Sequence, residues 1–321
     1  MLRCAARCAS EGQACPLNYA YSPSQIKKAK PLQMSPVTYV IGGLYGNRFA
    51  LDEIEHMRRR EVHSTQFIFN GDFNFFNSST TSFIEINERL RSDPLTECLL
   101  GNVEIAVASD WEFKGCGCDY PPYVDDETVS NADEIVRKLK MVSDRVDTKL
   151  DSKSEQKPCI RRWLNSLERF CVLGDSVNCG DKKDEDEEDN KERVAILHGD
   201  FRSLSGWKFA AETMDPPDKD LRARFKIEDD YEAIVPEKEV ESAFLEAGVG
   251  AYCSTHTCLA FAQRFENGIL FNNGSAGMSN FVKSTFGVIT RISCDLNDRA
   301  PNALYGCNWV GRRFEGKLWT F

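Results

Sequence analysis

The sequence predicts an α/β fold, and three observations predict it. Short apolar runs recur along the chain, each ending in a loop of glycine and polar residues, and several lead on into a helical apolar period. The groups with chemistry to offer, carboxylates, amides and imidazoles, sit in those strand-end loops, which is where ligands gather on such sheets. The 321 residues, 41% hydrophobic and 28% charged, are enough to bury a substantial core.

The first strand is predicted over residues 37–41. It enters Gly42-Gly43 and then a helix capped by Asn47, with Leu51, Ile54 and Met57 on one face. Phe67-Ile68-Phe69 is a second strand, ending at Asn70-Gly71-Asp72, and Leu99-Leu100 a third, ending at Gly101-Asn102. From Asp119 the pattern changes. Ile135, Leu139, Val142 and Val146 share a helical face, as do Ile160, Trp163, Leu164, Leu167, Phe170 and Cys171. The run DKKDEDEEDN, residues 181–190, cannot be buried and reads as a solvated loop. Residues 119–190 are therefore expected to form a helical insertion with an acidic loop. The core is expected in 36–118 and 191–321, preceded by an N-terminal tail, 1–35. Val194-Ala195-Ile196-Leu197 resumes the strand pattern and feeds His198-Gly199-Asp200. After it come a helix over 239–246, a strand near Ala251, the loop 254–258, a hairpin about Glu266-Asn267-Gly268 and the turn 272–277. Closing strands are expected over 288–292 and near the C-terminus.

Composition narrows the function. A formal net charge of -10 argues against general affinity for nucleic acid, whose phosphates would be repelled. No apolar run reaches the length of a membrane span. The 13 cysteines are odd in number and scattered, and no apolar signal core opens the chain, so they read as reduced thiols of a cytoplasmic protein. The first dozen residues read as a tail, with a short organellar presequence as the alternative. Cys116 and Cys118 lack a second pair at metal-ligand spacing and read as a tight loop. His56 and His63 read as structural, and Arg193 and Arg202, flanking His198, as candidates to reach a phosphate.

Five strand-end loops carry polar sets: GGLYGN (42–47), NGDF (70–73), GNVE (101–104), HGD (198–200) and THTC (255–258), followed by NNGSAG (272–277). Any one alone is an ordinary turn signal. Their order resembles that of the calcineurin-like metallophosphoesterases, whose motifs run GDxHGN, GD, GNH plus an acid, a strand-end His, GHxH and an Asn-x-Gly-Ser segment. The resemblance spans residues 37–292. It implies a metallophosphoesterase-like four-layer αββα sandwich, two packed sheets flanked by helices. It assigns one metal position to Asp72, Asn102, His198 and His256, in the register that puts Leu259-Ala260-Phe261 on the apolar segment after the last motif. The slots of the other position hold Gly43, Tyr45 and Cys258, and the slot of the leaving-group histidine holds Val103.

One carboxylate, one amide oxygen and two imidazoles suit a single divalent ion, Zn, Mn or Fe, with open positions for water. The implied function is a divergent metal-dependent phosphoester hydrolase of metallophosphatase or phosphodiesterase type. Asp72, His198 and His256 would act through a metal-bound water on a phosphorylated small molecule or a phosphoprotein. Without the histidine at position 103, general-acid assistance typically worth about 10²–10⁴-fold is missing. The alternative is accordingly a non-catalytic binding or scaffolding protein, with the insertion as a surface for a protein partner. Tyr45 and Cys258 are candidates to have taken over at the lost positions, Cys258 also as a soft ligand; the competing reading is that both fill vacated space. Two histidines and a carboxylate also serve mononuclear iron oxygenases, but nothing else in the chain supports oxygen chemistry.

Overall fold

The structure, a computed structural model, describes residues 19–109, 115–150, 159–174, 193–228, 234–279, 281, 283–294, 303–310 and 315–320. The apolar runs of the sequence become strands β2 (Val37–Ile41), β3 (Thr65–Asn70) and β4 (Thr96–Leu99), which run parallel. β10 (Val288–Ser293) pairs antiparallel with β2, β12 (Glu315–Thr320) antiparallel with β10, and β11 (Ala303–Val310) antiparallel with β12, which extends the same sheet in the order β11-β12-β10-β2-β3-β4. The second sheet is built from β1 (Leu32–Gln33), β5 (Phe170–Gly174), β6 (Val194–Leu197), β7 (Ala251–Ser254), β8 (Ala260–Arg264) and β9 (Ile269–Asn273), in the order β1-β5-β6-β7-β9-β8. Its central strands β6, β7 and β9 are parallel, and β8 closes on β9 as the expected hairpin.

Alternate residues of these doubly buried strands enter different cores, and that alternation builds the layers. Val37, Tyr39, Ile41, Phe67 and Phe69 pack against α2 (Arg48–Arg60), α3 (Thr80–Ser92), α4 (Asn102–Ala108), α5 (Asp126–Leu150) and α6 (Ile160–Leu164). Their neighbours Val40 and Ile68 meet Ile196, Cys253 and Phe271 of the second sheet. On that sheet's far face, Ala195, Leu197, Tyr252 and Leu270 pack with Ile26 of α1 (Pro23–Lys28) and with Val240 and Phe244 of α8 (Glu237–Ala247). Helix, sheet, sheet, helix is the four-layer αββα sandwich that the sequence predicts. A short helix, α7 (Lys219–Phe225), lies between β6 and α8 in the chain. Among the described residues no helix is long and apolar enough to cross a membrane.

Two stretches differ from expectation. Residues 19–35 are folded rather than a tail. Ser22 and Gln25 form a reciprocal capping box at the start of α1, and Tyr21 and Ile26 are buried. Arg193 helps hold this segment by donating to the carbonyls of Lys27 and Ala29, so it is not directed at a phosphate. Within 119–190, α5 and α6 are helical as expected, but β5 also lies there and pairs antiparallel with β6. The helical face assigned through Cys171 stops at Leu164, because closely spaced apolar residues satisfy a helical and a strand period equally well. The acidic run 181–190, residues 1–18 and any presequence within them lie outside the described residues.

Candidate metal centre

A single asparagine stitches the two sheets together at their ligand-bearing ends. Asn70 ends β3, and its Nδ2 crosses the sandwich to donate to the carbonyl of Leu197 at 2.8 Å. Its own carbonyl accepts the Nδ1–H of His198, also at 2.8 Å. The loop carrying Asp72 is thereby set against the loop carrying His198. Gly71 permits the approach: its φ is +78°, and a Cβ there would stand 2.6 Å from His198 Nδ1. The THTC loop docks on the same histidine, with the N–H groups of Thr255 and His256 donating to the His198 carbonyl at 3.1 and 2.9 Å.

Four acceptor atoms then converge. His198 Nε2 lies 3.4 Å from Asp72 Oδ1, 3.2 Å from Asn102 Oδ1 and 3.1 Å from His256 Nδ1. The ligand atoms of Asp72, His198 and His256 all fall within 4.8 Å of one another, and all three residues are buried. His198, Asn102 and Asp72 also bond to groups outside the cluster. His198 spends its Nδ1–H on Asn70. Asn102 donates its amide to the Cys116 carbonyl at 2.8 Å and to Cys118 Sγ at 3.2 Å, which turns its oxygen inward. Asp72 Oδ1 also receives the Val103 N–H at 3.3 Å. With His198 neutral these are lone pairs facing lone pairs in a buried site, an arrangement that a proton on Nε2 or a metal cation satisfies. One carboxylate, one amide oxygen and two imidazoles fit a divalent ion in that place.

The electrostatics agree with the geometry. Burial disfavours the charged forms of Asp72 and His198, yet their mutual attraction prevails. Asp72 is held below the usual carboxylate range and His198 above the usual histidine range. Burial, with the neighbouring His198, pushes His256 down to about 3, so its imidazole is neutral and has a lone pair to give.

Glu104 holds two of the ligand loops together. Its buried carboxylate accepts the N–H groups of Asp72 at 2.7 Å, Phe73 at 3.1 Å and Gly101 at 3.1 Å. It thus ties the Asp72 loop to the start of α4, where Asn102 sits, while Asp72 keeps a left-handed backbone with φ 55°. Burial and the Asp72 charge push the Glu104 carboxyl up to about 8, against the pull of these donors.

The residues at the slots that the resemblance gives to a second metal position also come together. Tyr45 donates its N–H to the Asp72 carbonyl at 3.2 Å, and its Oη hydrogen-bonds Cys258 Sγ at 2.6 Å. A Cβ on Gly43 would stand 3.0 Å from Tyr45 Cζ, so the phenol ring occupies the space into which a side chain at position 43 would grow. The ring is backed by Phe75 and Phe76. Cys258 is not among the converging ligand atoms, and its thiol is engaged with Tyr45. Val103, at the slot of the leaving-group histidine, has its side chain in the helix-side core, and only its N–H reaches the site. Cys116 and Cys118 form the tight loop expected, with Gly115 and Gly117 at φ 90° and 71°. Arg202 pairs with Glu239 at 3.6 Å, and His56 and His63 are exposed.

Three residues of the site had no role in the sequence reading. Asn70 and Glu104 stand inside the NGDF and GNVE segments, but nothing local shows what they bind. Trp207, whose ring meets that of His256 nearly edge-on at 5.5 Å, has no motif around it.

No family model matches the chain, and no curated protein matches it. Several solved structures are similar at low identity. A metallophosphoesterase from Sphaerobacter thermophilus is 11% identical with a TM-score of 0.48, over 90% of this chain and 88% of that one. A hypothetical protein from Pyrococcus horikoshii is 13% identical with a TM-score of 0.46, over 80% and 83%. A protein serine/threonine phosphatase from Saccharomyces cerevisiae is 10% identical with a TM-score of 0.38, over 92% and 86%. The architecture is metallophosphoesterase-like, and that description rests on the four layers and the strand-end site of this chain rather than on these distant likenesses.

Proposed function

We propose that this protein binds one divalent metal ion through Asp72, Asn102, His198 and His256 and hydrolyses a phosphoester. The observation that carries this reading is the convergence of four buried acceptor atoms, at least two of them turned inward by hydrogen bonds made outside the cluster. An ion of this kind, when bound, supplies an acidified water and withdraws charge from phosphoryl oxygens. The chain's own residues do the rest. Asn70 keeps the proton of His198 on Nδ1, Glu104 sets Asp72 and Asn102 relative to each other, and His256 stays neutral. Tyr45 has a buried O–H, bonded to Cys258, that burial keeps protonated. The side chain at position 103 is a valine, which has no proton to give a departing oxygen. Turnover is therefore expected to favour esters whose leaving group departs as a stable anion.

A metal-holding protein without turnover is the second reading. It is favoured by the same two observations, the phenol filling the second position and the valine turned away. Metal analysis together with assays on phosphomonoesters and phosphodiesters decides between them. About one equivalent of ion with turnover lost in His198→Ala supports the hydrolase. Bound ion with no turnover across the panel supports the second reading, and protein that takes up no ion refutes both.

A further inference from the structure

The two histidines of the cluster are held in different ways. His198 spends its Nδ1–H on the Asn70 carbonyl, and that bond fixes its ring. His256 turns Nδ1 to the cluster, 3.1 Å from His198 Nε2. Its other nitrogen, Nε2, is buried and has no hydrogen-bond partner among the described residues. The Ser205 carbonyl stands close enough to favour protonation of this ring, but not in the geometry of a hydrogen bond. A metal-binding imidazole usually has its second nitrogen tied to an acceptor, which fixes its orientation. His256 lacks that tie, so its orientation rests on packing.

Two rings meet that of His256 among the described residues. One is His198, a fellow member of the cluster, at 5.0 Å between centres and 62° between planes. The other is Trp207, from outside it, at 5.5 Å and 74°. The indole is itself held. Asp200 is buried, and its carboxylate accepts the N–H groups of Arg202, Ser203 and Lys208 at 2.7, 3.0 and 2.9 Å, which closes the loop on either side of Trp207. Gly206, next to Trp207, passes so near that a Cβ on it would stand 2.1 Å from Asp200 Oδ2. The ring of Tyr120 packs on the indole, 5.7 Å away. The segment His198-Gly199-Asp200 thus carries one member of the cluster and, two residues on, the carboxylate that folds the chain back onto another.

We propose that Trp207, held in place by Asp200, is a positioning residue of the metal centre: its ring keeps the His256 imidazole at the tilt that aims Nδ1 into the cluster. The proposal rests on the metal-binding part of the reading above and adds the residue that sets one of its ligands. The role is one of shape. A phenyl ring at position 207 still presents an aromatic wall to the imidazole, whereas a methyl group leaves the ring free to swing. The indole N–H has no part in it. Partners behind a metal-bound histidine account for about 10–100-fold in affinity when they are removed, and Trp207 should fall in that range.

Zinc affinity of the full chain is measured by chelator competition in wild type, Trp207→Phe, Trp207→Ala and Trp207→Leu. Trp207→Phe is expected within about threefold of wild type, and the other two about tenfold or more weaker. Nitrogen NMR of the histidine rings at saturating zinc supplies a readout that a merely structural role would not move. The chain has 4 histidines, and His256 is assigned with a His256→Ala variant. Its Nδ1 should show the metal-bound shift in wild type and Trp207→Phe, and a free or exchange-averaged shift in Trp207→Ala. Circular dichroism is recorded for every variant, and if Trp207→Ala does not fold, Trp207→Leu, which keeps apolar bulk without a ring, decides. Wild-type affinity in Trp207→Ala and Trp207→Leu, an equal loss in all three variants, or a loss with His256 still bound as in wild type overturns the proposal. Wild type that binds zinc while the substitutions are silent refutes this inference alone; wild type that takes up no zinc refutes the metal-binding reading and this inference with it.

Discussion

The carbonyl oxygen of Asn70 accepts the Nδ1–H of His198 at 2.8 Å, and this one contact decides which imidazole nitrogen faces Asp72. An acceptor on the Nδ1 side keeps the proton there, so Nε2 carries the lone pair in the neutral ring. The two residues belong to different sheets, so the tautomer of a ligand is set by the packing of the sandwich.

His198→Ala is expected to abolish ion binding and to lower the stability of the ion-free protein by about 3–5 kcal/mol, because Asp72 remains buried without its counter-charge. Metal analysis reads the first effect and denaturant titration the second. An unchanged unfolding midpoint would contradict the charged pair.

The response to an ion should depend on pH in a definite direction. His198 has a folded pKa raised above the ordinary 6.5. In the ion-free protein its protonated form stabilises the fold fully below pH 6.5, and that contribution is lost as pH rises through the folded value. An ion needs the same nitrogen bare. The rise in thermal midpoint on adding zinc or manganese should therefore be small in acid and grow with pH, and affinity should fall about tenfold per pH unit below the folded pKa. Scanning thermal unfolding with and without ion across this range checks the slope, and a response that shrinks as pH rises is the opposite result.

Glu104→Gln replaces one acceptor oxygen with an amide that cannot accept the N–H facing it. The expected cost is about 2–4 kcal/mol of stability. Because Glu104 joins the Asp72 and Asn102 loops, ion affinity should also fall, by about 10–100-fold. Chelator competition measures the affinity, and a stability loss with unaltered affinity would leave Glu104 as a packing residue only.

Arg291 grips Glu61 with two hydrogen bonds of 2.8 and 2.9 Å, and Tyr39 donates to the same carboxylate. Both charges are largely buried, and Glu61 caps α2 at the end away from the Asn47 loop. Arg291→Ala should cost about 3–5 kcal/mol in urea unfolding, since it strands a buried carboxylate. Ion affinity should not change.

Restoring ligands at the filled position should raise metal stoichiometry. The triple variant Gly43→Asp, Tyr45→His and Cys258→His removes the phenol and supplies a carboxylate and two imidazoles beside Asp72. Two ions per chain are expected, against one for wild type, as read by metal analysis. Tyr45→Phe, which keeps the ring in place, should stay at one.

Much of this protein is legible in local pattern. The strands over 37–41, 65–70 and 194–197 are short apolar runs followed by glycine and polar residues, a signal complete within ten residues. The ligands Asp72, Asn102, His198 and His256 stand at the ends of such runs, so their types and order can be read directly. β5 was hidden because Phe170 and Cys171 fit the period of the preceding helix, and α1 because its six residues are too few to show a period.

What the sequence alone determined, then, is the succession of strands and loops and the types and order of the polar residues at their ends, Asp72, Asn102, His198 and His256 among them. Only the tertiary structure decided that those four converge, that the Tyr45 ring fills the space beside Gly43, that Val103 faces the core, that Asn70 and Glu104 hold the cluster's loops, and that Trp207 reaches His256. The physical reason is separation along the chain. Tyr45 and Cys258 bond across 213 residues, and Asn70 and Leu197 across 127. Such contacts depend on how two sheets close on each other, whereas a local pattern reports only a residue's type and the face it occupies.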